Sequence, residues 1–131
     1  MPEQARTVLA FDFGIKRIGD AVGEAELGTA DPLPGIAAPR LDAIAELGQA
    51  GRAGALVVGL PVAERGEHPL AKRVQRFARQ LEGRFRLPVE RVDERYTSVE
   101  AESLLRGAKN KAVDSVAAQL ILEQYFNGRA A

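Results

Sequence analysis

The chain has 131 residues, 46% of them hydrophobic, which is enough for one domain with a real core and excludes a disordered polypeptide. There is no cysteine and only one histidine, His68, so disulfides, thiolate zinc sites, a cysteine nucleophile and a multi-histidine metal centre are excluded. The 18 basic and 18 acidic residues cancel, so bulk charge announces no polyanion binder and the distribution of charge is what matters.

Residues 7–13 are a short apolar, β-favouring run ended by Gly14, and residues 17–23 form a second such run. The link GIK is hairpin-sized and predicts antiparallel pairing. Residues 28–37 carry two prolines and predict an irregular edge strand. A helix is expected over 41–51, where Leu41, Ile44, Ala45 and Leu47 share one face. ALVVGLP, 55–61, is apolar on both faces and reads as a central strand in a parallel pair covered by helices.

A polar loop, 62–68, follows, with His68 as a cap or lead-in to the next helix. That helix is expected over 69–85, with Pro69 in its first turn and Leu70, Val74, Phe77, Ala78 and Leu81 as its apolar stripe. Residues 87–94 predict a fifth strand. Thr97 and Glu100 have the spacing of a capping box, so a helix is expected to about Gly107. The last helix is expected over 111–126, followed by a frayed tail, GRAA. Antiparallel strands first and β-α-β crossovers after them predict an α/β fold, a single domain over 1–131 with a mixed five-stranded sheet and helices on both faces. MPEQART lacks the apolar core of a secretion signal, and no apolar run reaches the ~20 residues of a membrane span.

Acids in apolar contexts are the informative residues. Asp12 interrupts the first strand, Asp93 and Glu94 end the fifth, and Asp114 sits in the first turn of the last helix. Brought together, such carboxylates need cations between them, and oxygen ligands favour Mg²⁺ or Mn²⁺. Two such ions can activate a water and stabilise a leaving oxygen in phosphodiester cleavage. Each acid also has a plainer reading. Asp12 could be satisfied by backbone N–H groups of the following turn, Asp93 and Glu94 could pair with Arg91 or Arg95, and Asp114 could answer the helix dipole. Gly14, Gly19 and Lys16 could instead cradle a phosphate, as in sugar-kinase and actin-like ATPase domains, but those need two such domains.

FDFGIKRIG (11–19), VVGLP (57–61), DERYTS (93–98) and KAVDSVAAQLILEQYF (111–126) occur in this order and together resemble the YqgF family, also called RuvX. That family is described both as Holliday junction resolvases and as pre-16S rRNA nucleases. The resemblance implies a ribonuclease H-like fold, a cytoplasmic bacterial protein, divalent-metal nuclease chemistry and processing of the 16S rRNA 5′ end during ribosome biogenesis. It places the family's acids on Asp12, on Glu94 with Asp93 beside it, and on Asp114. Basic positions of the family fall on Lys16, Arg17, Arg95 and Lys111, and Lys109 lies close to the last acid. In a strand Asp93 and Glu94 point to opposite faces, and Glu94 is the expected ligand.

Two departures stand out. Asp20 occupies an expected apolar strand position, which predicts a twisted or edge-exposed second strand there, and LRGAKNK (105–111) is shorter than the family's glycine- and lysine-rich loop. Lys72, Arg73, Arg76 and Arg79 recur at helical spacing, followed by Arg84 and Arg86. They read either as a solvated helix face or as a phosphate-contacting stripe. Tyr96 could stack on a base or pack inside. The expected partners are RNA (pre-rRNA, alone or within a ribosomal particle) and branched DNA, with a monomer and a homodimer both open. A junction resolvase and a non-catalytic RNA- or ribosome-binding adaptor are the competing functions.

Overall fold

In a computed structural model the described residues are 7–14, 17–37, 41–51, 53–61, 66–93 and 113–130, with backbone alone at 37, 47–51, 113–114 and 129–130. Five strands, β1 (Thr7–Phe13), β2 (Arg17–Glu24), β3 (Asp31–Ala37), β4 (Ala55–Leu60) and β5 (Val89–Asp93), form one sheet in the order β3-β2-β1-β4-β5. The helices are α1 (Leu41–Gly51), α2 (Ala71–Phe85) and α3 (Val113–Ala130). The helix expected over 97–107 lies outside the described residues.

The hairpin reading holds. β1 and β2 pair antiparallel in register from Thr7–Glu24 to Phe13–Ile18. Gly14 is required at the turn, because a Cβ there would collide with the Arg17 carbonyl oxygen. β3 is the edge strand, as its prolines predict, and it begins at Asp31, after Gly28 has taken a left-handed turn conformation (φ 66°). β4 is central, parallel to β1 on one side and to β5 on the other, and buried from Ala55 to Gly59. That is why its sequence shows no alternation.

Strand alternation divides the core. On one face Leu9, Phe11, Ile18, Leu56 and Val58 meet Ile44 of α1 and Val74, Phe77, Ala78 and Leu81 of α2. On the other, Val8, Ala10, Ala21, Ala55 and Val57 meet Ala118, Ile121 and Leu122 of α3. The sheet therefore has helices on both faces, as expected.

Two boundaries and one residue differ from the sequence reading. α2 starts at Ala71, after a turn at Pro69–Leu70, where His68 Nδ1 accepts from the Leu70 N–H (3.0 Å) and the His68 carbonyl from the Ala71 N–H (2.9 Å). His68 thus leads into the helix and closes the turn before its N-cap, Leu70, and Pro69 precedes the first helical turn rather than occupying it. At the other end α3 runs through Gly128 to Ala130, so most of the segment read as a frayed tail is helical. Between them, Asp20 is fully buried in β2, an interior strand, which overturns its expected edge exposure. The irregularity exists, but as a register shift between β2 and β3 at Ile18–Asp20.

A carboxylate edge beneath the last helix

β1, β4 and β5 are parallel, so their carboxyl ends lie at one edge of the sheet. The register sets Phe11 beside Val58, Val58 beside Arg91, and Leu60 beside Asp93. Asp12, half-buried, and Asp93, exposed, both end their strands at this edge, with β4 between them. Two strand spacings separate them by roughly 10 Å.

The faces differ. Asp12 alternates with Val8 and Ala10 and so belongs to the α3 face, opposite Gly19 of β2. Asp93 alternates with Arg91, whose guanidinium is held on the α2 side: its Nη1 donates to Glu82 Oε2 (2.8 Å) and its Nε to Gln75 Oε1 (3.3 Å). Among the described residues Arg91 thus pairs with Glu82 of α2, and not with Asp93.

The direction of α3 follows from three contacts. Ala30 of the β2–β3 connection accepts from Gln119 Nε2 (3.1 Å). A Cβ on Gly23 would stand 2.9 Å from Leu122 Cδ2 and from Phe126 Cε2. Gly23 pairs with Val8 near the start of β1, so the C-terminal half of α3 covers the amino end of β1. The first turn of α3, containing Asp114, therefore comes back to the carboxyl edge where Asp12 ends β1. The amino end of a helix carries the positive end of its dipole, which adds positive potential to the edge.

Beside that turn lies a feature absent from the sequence reading as a site element. The Asp20 carboxylate and the Ser115 hydroxyl are buried, and none of their oxygens meets hydrogen-bond geometry with a described partner. Burial raises the Asp20 carboxyl to about 6, offset in part by the Ser115 hydroxyl and the Asp20 backbone N–H. An acid at an apolar strand position was the only signal for it.

Of the basic candidates, Arg17 opens β2, exposed, with its guanidinium over Gly35 of the edge strand. Lys16, Glu94, Arg95, Tyr96, Lys109, Lys111 and the side chain of Asp114 lie outside the described residues. Among the described residues no three acids or histidines converge as a metal cluster. The donors that reach the edge are hard carboxylate oxygens, which suit a divalent cation such as Mg²⁺ or Mn²⁺ and not a soft one.

A mixed sheet of this strand order, with helices on both faces and an acid ending the first strand, defines a ribonuclease H-like fold. Thermus thermophilus RuvC in complex with a Holliday junction superposes with a TM-score of 0.57 at 17% identity, over 95% of this chain and 96% of that one. The Fowlpox virus resolvase in its Holliday junction complex gives 0.60 at 10% identity, over 95% and 99%. The family described as "RuvX: Holliday junction resolvase" matches residues 6–128, and the chain belongs to it. Among its relatives is a protein of Nitrosomonas europaea, 51% identical over 92% of this chain and 89% of its own length. Another, from Methylobacillus flagellatus, is 50% identical over 99% of each. Both carry the name "Putative pre-16S rRNA nuclease".

Proposed function

We infer that this protein is a divalent-metal-dependent nuclease that hydrolyses phosphodiester bonds in RNA, and that it processes the 5′ end of pre-16S rRNA in the cytoplasm during ribosome biogenesis. What supports the reading is the topology, which returns the first turn of α3, containing Asp114, to the carboxyl edge of the sheet near Asp12 of β1. Family membership supports the reaction class, and the names of the relatives support pre-16S rRNA as the substrate.

Asp12, Glu94 and Asp114 are the proposed ligands of Mg²⁺ or Mn²⁺. Period-2 alternation supports Glu94 over Asp93, because Asp93 shares its face with Arg91 and Asp12 belongs to the other. The bound cation would supply charge to activate a water and to stabilise the leaving oxygen. The protein's own part is positional. Three carboxylates on separate elements fix the cation, and Lys16, Arg17, Arg95, Lys109 and Lys111 neutralise and orient the phosphates on either side of the cut. The N–H groups at the start of α3 favour an anionic phosphate at the same edge.

The family description favours a second reading, a junction resolvase using the same acids. The test separates the two: labelled single-stranded RNA and a four-way DNA junction are incubated side by side with Mn²⁺, Mg²⁺ or EDTA. Metal-dependent RNA cleavage is expected. In Asp12→Asn it should fall on the order of 10³-fold with the fold unchanged, the scale on which one member of a catalytic unit matters. Normal cleavage by Asp12→Asn would sink the site assignment. Cutting of the junction alone would select the resolvase, and RNA binding with no cleavage under any metal would select the adaptor.

A further inference from the structure

α2 has two unlike sides. Val74, Phe77, Ala78 and Leu81 are buried against the sheet. Lys72, Arg76 and Arg79 recur at i, i+4 and i+7 on the opposite side, all exposed, with Arg73 exposed beside them. At ~100° and ~1.5 Å per residue the three occupy one ~60° stripe about 10 Å long.

Almost nothing anionic answers this stripe. The helix carries five cations and one carboxylate, Glu82. Glu82 is already held by Arg91 of β5 at 2.8 Å, and that bond keeps its carboxyl below the ordinary range. Glu67, just ahead of the helix, is the one acid lining the shallow groove formed with Lys72, Arg76 and Arg79. Among the described residues, none of Lys72, Arg73, Arg76 and Arg79 makes an ion pair with a carboxylate. Like charges at these spacings repel one another along the helix. In a chain of zero net charge, the local excess is a matter of placement.

Placement also connects the stripe to the acid edge. β4 and β5 are parallel, and α2 is the crossover between them. Its first turn, with Lys72, therefore lies at the carboxyl edge where Asp12 and Phe13 end β1, and the stripe runs away from that edge along the flank of the sheet. The stripe holds no apolar side chain that could enter a membrane, and guanidinium forks match phosphate oxygens. We propose that the outer face of α2 is a second nucleic-acid surface, on which Lys72, Arg76 and Arg79, flanked by Arg73, hold the backbone phosphates of an RNA strand passing beyond the cleavage edge. The direction of the strand rests on the nuclease reading above; the binding surface does not.

The test measures binding without cleavage. Labelled single-stranded RNA is titrated with the full chain in EDTA at several salt concentrations, for the wild type, K72Q/R76Q/R79Q and K72R/R76K/R79K. The neutral triple variant should bind roughly 10–100-fold more weakly at low salt. Its log–log salt slope should shrink by about 2, the value for three phosphate contacts on a single strand. The charge-keeping variant should bind within a few-fold of wild type. Circular dichroism melts should match throughout, since all three positions are exposed. Wild-type affinity and slope in the neutral variant would overturn the proposal. So would loss of polyglutamate binding with RNA binding intact, which would assign the stripe to an acidic protein. Weakened RNA binding in a protein that shows no metal-dependent cleavage would uphold this surface while removing the nuclease reading.

Discussion

The two faces of the sheet are built from side chains of different size. Toward α1 and α2 the contacts are large: Phe77 meets Phe11 edge-on at 6.1 Å and Phe13 at 5.2 Å, with Leu9, Leu56 and Leu81 around them. Toward α3 several strand side chains are small: Ala10, Ala21 and Ala55 share a cluster with Ala118, beside Val8, Val57, Ile121 and Leu122, and Gly23 leaves no room for a Cβ between the strand and Leu122 or Phe126. A helix approaches a sheet only as closely as the intervening side chains allow. The thick face holds the larger cluster of buried side chains, and burial of apolar area stabilises the fold. The thin face draws α3 down onto β1 and β2, and so fixes the height of its first turn above Asp12. One face holds the larger side chains, and the other sets how α3 lies over the acid edge.

Phe77→Ala should therefore have the largest effect on stability, a loss of roughly 3–5 kcal/mol, because it empties the centre of the thick face. Urea unfolding reads this directly. Cleavage per folded molecule should change little, because Asp12 and α3 lie on the other side of the sheet. A variant of normal stability, or a destabilised one that also loses cleavage per folded molecule, would break the division between the faces.

The next effect belongs to Asp20. Its folded carboxyl is raised from the ordinary 3.8 to about 6, so between those values the unfolded chain loses its proton first. The folded state then binds more protons, and stability falls as pH rises through that window, by on the order of 3 kcal/mol in all, levelling above it. Asp20→Asn should remove this slope. The difference in unfolding free energy between variant and wild type should grow in favour of the variant from about pH 4 to about pH 6. A pH-independent difference would show that Asp20 titrates normally in the fold.

Much of this was legible because local pattern and tertiary role agree. The all-apolar β4 could only be a central strand, the prolines of residues 31–37 only an edge, and the spacing of Val74, Phe77, Ala78 and Leu81 only a buried helix face. Asp12 stood out because a lone acid in an apolar strand demands a reason. What stayed hidden depends on partners distant in sequence. Nothing near Asp20 tells that α3 and Ser115 will cover it, so a polar residue in a strand reads as edge exposure. Arg91 could have served Asp93, and only the packing of α2 on β5 gives it to Glu82. Gly128 looks like a helix stop, yet α3 continues past it to Ala130, because propensity is a weak prior against the rest of the helix. Glu94 and the basic residues around the last acid fall outside the described residues, so the site reading there still rests on the sequence.

The smallest of these stability effects is the most discriminating. Ala118 is fully buried at the α3 contact with Ala10, Ala21 and Ala55. Ala118→Leu inserts volume into this small-residue contact, and overpacking of this kind costs about 1–3 kcal/mol. Much of the strain should be relieved by lifting the helix, which displaces the Asp114 turn from the Asp12 edge. Displacement of a catalytic group by ~1 Å can cost on the order of 100-fold in rate. Ala118→Leu should thus lose less stability than Phe77→Ala and far more cleavage per folded molecule, with metal affinity, read by calorimetry, weakened in parallel. If both variants lost activity only in proportion to the folded fraction, the small-residue face would be ordinary core, and the position of α3 would have no special bearing on the acid edge.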